Sequence, residues 1–120
     1  MIENISLGAI MIDCDDDKKL REFYAEFLGW ERCEVYSIPG VRSGDGVVFY
    51  FVKNEDYIPP IWPEQANKQQ KQIHFDFMVP NVSAVQHAET LGAVKTLSQF
   101  GGTHSTTILD PTGRPFCLHH

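Results

Sequence analysis

The chain has 120 residues, enough to bury one core and too few for two independent ones, so a single domain over 1–120 is expected. Apolar residues make up 42% and charged residues 22%, a balance that excludes a disordered or low-complexity chain. The net charge of −6, with scattered lysines and no basic stripe, excludes an electrostatic track for nucleic acid.

Cys14, Cys33 and Cys117 are widely spaced and form no CxxC pair, so reduced thiols and a cytoplasmic location are expected. The apolar run from Ile5 to Ile12 is broken by Asp13 and Asp15-Asp16-Asp17, which is unlike a secretory leader. No apolar run approaches the roughly 18 residues that a membrane span needs.

Ile5 to Asp13 reads as a buried first strand. One of Asp15, Asp16 and Asp17 then caps a helix whose Leu20, Phe23, Tyr24, Phe27 and Leu28 form a single apolar stripe. The aspartates also read as an acidic cluster able to hold a metal, although capping accounts for them. Gly29 is the expected left-handed stop. Glu31 to Ile38 alternates as a strand, Pro39 to Gly46 is turn-rich, and Val47 to Lys53 is dense in β-formers.

Asn54 to Gln72 joins the halves and is stiffened by Pro59, Pro60 and Pro63 around Trp62. Trp62 either packs back on a sheet or stacks on a ligand. The second half repeats the order of the first. Ile73 to Val79 is a strand, Val82, Val85, Ala88 and Leu91 mark a helix capped by Asn81 or Ser83, and Gly92 ends it. Thr103 to Leu109 and Pro115 to Leu118 are strands joined by a turn at Asp110-Pro111-Thr112-Gly113. Leu28-Gly29 and Leu91-Gly92 end the two helices alike, a weak internal repeat.

Four stretches carry a resemblance: Ile12-Asp13-Cys14 leading into Phe23-Tyr24 and Leu28-Gly29-Trp30, the linker Tyr57-Ile58-Pro59-Pro60-Ile61-Trp62-Pro63, His74-Phe75-Asp76-Phe77, and Asp110 to Leu118. In that order they resemble the glyoxalase/bleomycin-resistance/dioxygenase, or vicinal oxygen chelate, superfamily, and within it the glyoxalase-like domain branch. The resemblance implies an α+β fold of two βαβββ modules, 1–56 and 72–120 with linker 57–71, forming a curved, mostly antiparallel sheet trough with helices outside. It also implies a small-molecule ligand in that trough and a homodimer. Metal-dependent members take ligands from the first and last strand of each module. Those positions fall here at about Ala9, within Val47 to Val52, at His74 and at Cys117, so only His74 is a typical ligand and Cys117 a thiolate alternative. No cofactor is therefore expected, with a degenerate divalent metal site as the alternative.

Alternation places His74 and Asp76 on one face of their strand and Cys117 with His119 on one face of the last. His74 and Asp76 are the candidate catalytic pair, since a carboxylate beside an imidazole can fix its tautomer for proton transfer. Each also has a purely structural reading as half-solvated strand polarity. Phe49, Phe51, Trp62, Cys117 and His104 are candidate ligand-lining residues. Cys117 reads equally as a small core residue and His104 as a polar loop without a role. The functional expectation is a protein that binds a small organic molecule, with an isomerase, lyase or dioxygenase type of enzyme as the alternative.

Overall fold

The computed structural model describes residues 2–120, in which a strand, a helix and three strands occur twice. The first series is β1 (Ile10–Cys14), α1 (Asp17–Leu28), β2 (Glu31–Val35), β3 (Ile38–Arg42) and β4 (Val48–Lys53). The second is β5 (Asp76–Met78), α2 (Ser83–Thr90), β6 (Val94–Lys95), β7 (Ser105–Leu109) and β8 (Pro115–His119). Each series forms its own four-stranded sheet, in the orders β1-β4-β3-β2 and β5-β8-β7-β6. In both, the first strand pairs parallel with the last and the other pairs are antiparallel. The fold is α+β and consists of two βαβββ modules. The chain divides into two units, Met1–Tyr57 and Ile58–His120.

In the first unit β1 starts at Ile10, five residues later than its apolar run suggests. Strand pairing explains this: among the described residues the ladder of β1 with β4 runs from Ile10 opposite Phe49 to Cys14 opposite Lys53. Ile5 and Leu7 lie outside that ladder and are exposed. Asp16 is the aspartate that caps α1, its carboxylate accepting from the Lys19 backbone N–H at 3.1 Å, and Gly29 ends the helix at φ 67°. Leu20, Phe23 and Tyr24 are buried by the stripe. The Tyr24 ring stacks on Phe51 at 5.5 Å and meets Phe49 edge-on at 6.3 Å.

The expected strand Glu31–Ile38 and turn Pro39–Gly46 are corrected to a hairpin of β2 and β3. Its corner is Tyr36 and Ser37, at φ 47° and 67°, a left-handed pair that usually carries Asn or Gly and so left no turn signal. Gly40 is inside β3 because a Cβ there would meet the Phe49 carbonyl oxygen and lie 2.6 Å from a Tyr50 ring carbon.

Arg32 on β2 ties to α1, its Nε 2.9 Å from Glu22 and its Nη2 2.8 Å from Glu26. The Arg32 hydrogen bond holds the Glu22 carboxyl below its ordinary value. A depressed carboxyl adds stability above its unfolded-state pKa, and that stability is lost as pH falls through the folded value. Arg32→Ala should therefore lower the thermal midpoint slightly at pH 7 and leave it unchanged once Glu22 is protonated. A decrease of equal size at both pH values would show that the pair does not act through charge.

In the second unit β5 is only three residues long, because just Asp76, Phe77 and Met78 lie opposite Cys117, Leu118 and His119 of β8. The expected strand Ile73–Val79 shrinks accordingly, and Ile73 is exposed. The expected cap at Asn81 or Ser83 is corrected: Val82 holds the N-cap position of α2 without a side-chain cap, is exposed and leaves the apolar stripe, while Asn81 Oδ1 just before it accepts from the Ser83 backbone N–H at 2.9 Å. Gly92 follows the helix at φ 109°. The two-residue β6 was not legible in the sequence and pairs with the end of β7. Strand β7 begins at Ser105, later than the expected Thr103.

From Ile58 onward the linker belongs to this second unit. The Ile61 N–H donates to the Gln69 carbonyl at 3.0 Å and the Trp62 indole N–H donates to the Ser98 carbonyl at 2.9 Å. The peptide bond between Trp62 and Pro63 is cis. Among the described residues, no helix is long and apolar enough to cross a membrane.

Candidate functional site

Strand β8 alternates between buried Phe116 and Leu118 and half-buried Cys117 and His119. The parallel register sets Asp76 beside Cys117 and Met78 beside His119, and the antiparallel register sets Thr107 of β7 on the other side of Cys117. Paired residues project from the same side of a sheet. One face of the second sheet therefore carries Asp76, Cys117, His119 and Thr107. The other carries Phe77, Phe116 and Leu118, with the Phe77 and Phe116 rings 5.8 Å apart. His74 precedes β5 by two residues and reaches the polar face, its Nε2 3.2 Å from Asp76 Oδ1.

The same Asp76 oxygen lies 3.4 Å from His119 Nε2. One carboxylate oxygen is thus shared by two imidazoles. The donor atoms of His74, Asp76 and Cys117 all lie within 4.8 Å of one another. Thr107 Oγ1 is 3.4 Å from Cys117 Sγ. His74, Cys117 and His119 are half-buried, Asp76 is exposed and Thr107 is buried. The cluster can accept and donate hydrogen bonds, move a proton along the His74–Asp76 pair, and offer nitrogen, oxygen and sulfur to a cation.

The other expected site residues lie elsewhere. Phe49 and Phe51 are buried in the first unit's core against Tyr24, which gives them a packing role in place of the ligand-lining one expected. Their alternation placed them on one face correctly, but not which face meets the helix. Trp62 packs in its own loop region, with Phe100 5.7 Å away and Lys71 Nζ 5.4 Å from the ring. His104 is exposed just before β7 and is not part of the cluster. His119 and Thr107 enter the site in their place; the i, i+2 spacing of Cys117 and His119 carried a signal for the first, and nothing in sequence pointed to the second.

The four-position metal set that the resemblance implies does not fit this chain. Ala9 has no donor atom and β4 presents Val48, Phe49, Tyr50, Phe51 and Val52. Only His74 and Cys117 stand at positions of that set, and the second unit adds Asp76 and His119 beside them.

Two βαβββ modules of identical strand order, with a polar cluster on the sheet of the second, make this an α+β protein. The family model for the glyoxalase-like domain matches residues 9–119, and the chain belongs to that family. Three solved structures share the fold. A possible glyoxalase from Bacillus cereus is 15% identical, with 98% of this chain and 100% of that one covered and a TM-score of 0.68. A glyoxalase/bleomycin resistance protein/dioxygenase family enzyme from Burkholderia phytofirmans PsJN is 15% identical over 95% and 97% of the chains, with a TM-score of 0.68. A glyoxalase/bleomycin resistance protein from Albidiferax ferrireducens T118 is 15% identical over 95% and 98%, with a TM-score of 0.64. At such identity the likeness concerns the fold. No curated protein matches the sequence.

Proposed function

We propose that this protein binds a small organic molecule on the polar face of its second sheet, with His74 and Asp76 orienting the ligand's oxygen or nitrogen atoms. The observation that carries the reading is the convergence of His74 and His119 on one oxygen of Asp76, at 3.2 and 3.4 Å, on a face that stays accessible. A half-solvated strand needs no such convergence, because water satisfies isolated polar groups. The pair also favours a second reading: a carboxylate that fixes an imidazole equips the site for proton transfer, as in an isomerase or lyase.

A thermal-shift screen over aromatic antibiotics and ketoaldehyde–thiol adducts tests the binding reading. A ligand present at 100 times its Kd stabilises the native state by about 2.7 kcal/mol. The expected result is a compound that raises the midpoint of the native chain and loses its effect in His74→Ala and Asp76→Asn. A shift retained in both variants would move the ligand away from this face and overturn the assignment.

A further inference from the structure

We propose that His74, Asp76 and Cys117 hold a zinc ion within the second unit alone, leaving the fourth position of its tetrahedron to a ligand atom. This deepens the binding reading, since the same side chains serve both, and it adds a thiolate that the reading does not use.

The donor chemistry selects the metal. One imidazole, one carboxylate and one thiolate are a mixed N, O and S set, suited to zinc and poor for magnesium or calcium, which take oxygen ligands. The charges balance, because the thiolate and the carboxylate offset the two positive charges of the ion. As the zinc–sulfur bond forms, Cys117 gives its thiol proton to solvent and no electron moves.

The geometry is close to what the ion requires. Zinc bonds of about 2.0–2.3 Å give a tetrahedron with edges of about 3.4 Å between nitrogen and oxygen donors. The His74–Asp76 separation is already 3.2 Å, and the three donors all lie within 4.8 Å of one another. Side-chain rotations of His74, Asp76 and Cys117, each of them half-buried or exposed, can draw the donors in to bonding distance.

Two neighbours complete the arrangement. His119 Nε2, 3.4 Å from Asp76 Oδ1, can orient the carboxylate, and the Thr107 hydroxyl, 3.4 Å from the Cys117 sulfur, can donate to the thiolate. Outer partners of this kind orient ligands and tune the metal in zinc sites generally. All these groups come from β5, β7, β8 and the residue pair that precedes β5. Four of the five sit on paired strands, so the cluster is preorganised by sheet register before any metal arrives.

Cobalt substitution provides the test, with untagged protein and no organic compound present. The native chain should take up one equivalent of zinc, and cobalt(II) in its place should show a near-ultraviolet thiolate-to-cobalt charge-transfer band. Cys33→Ser should keep the band. Cys117→Ser should lose it. Asp76→Asn, a near-isosteric change at an exposed position, should weaken zinc by more than the about 10- to 100-fold that loss of an outer partner costs. Magnesium should not compete. Substoichiometric zinc, a missing charge-transfer band, or a band that survives Cys117→Ser would each overturn the site. A compound whose thermal shift depends on His74 in chelator-treated protein would leave the organic-ligand reading standing while the zinc site fails.

Discussion

Phe51→Ala should destabilise the first unit by about 3–5 kcal/mol, the cost of removing a large buried aromatic ring and leaving a cavity. Phe51 is fully buried at the centre of β4, and its ring lies 5.5 Å from that of Tyr24, nearly parallel to it. The same strand holds β1 on one side and β3 on the other, so a void beside it has little room to collapse. Phe51→Leu should recover part of the loss by refilling some of the volume. Urea unfolding of the three proteins measures the difference. A loss below about 1 kcal/mol would contradict the burial of this ring, and with it the packing role assigned here.

Asp110→Ala should cost the second unit about 2–4 kcal/mol, because one buried oxygen serves three donors. Asp110 Oδ1 accepts from the Thr112 backbone N–H at 2.9 Å, the Thr112 hydroxyl at 2.8 Å and the Arg114 backbone N–H at 3.1 Å. Both Asp110 and Thr112 are buried, so alanine leaves these donors without that acceptor and without ready access to water. The turn they shape feeds β7 into β8 and so sets the register that puts Thr107 beside Cys117. Asp110→Asn keeps a carbonyl oxygen in the acceptor's place and should retain most of the stability. If the alanine and asparagine variants unfold at the same denaturant concentration, the oxygen does not hold the turn.

Local signals were legible where the determining contacts are close in sequence. The cap at Asp16, the stop at Gly29 and the turn at Asp110 to Gly113 each involve residues within five positions of one another. Strand limits were less so. Ile5 and Ile73 are apolar and sit in apolar runs, yet both lie outside the ladders, since a strand extends only as far as its partner does. The hairpin at Tyr36 and Ser37 was missed because it bends through side chains that seldom adopt a positive φ.

The site divides along the same line. Alternation in the sequence was enough to place His74 with Asp76, and Cys117 with His119. It could not bring the two pairs together, because Asp76 and Cys117 are far apart in the chain and meet only through the parallel register of β5 and β8. Nor could it tell the core side of β4 from its opposite side, since Phe49 and Phe51 satisfy either until α1 packs on them. By itself the sequence determined the strand and helix that open each half, the ends of α1 and the shared face of His74 and Asp76, while the full βαβββ order followed from the family resemblance. Only tertiary structure decided that Asp76, His119 and Cys117 share one point in space, for the physical reason that sheet register is a long-range choice made by the whole set of paired strands.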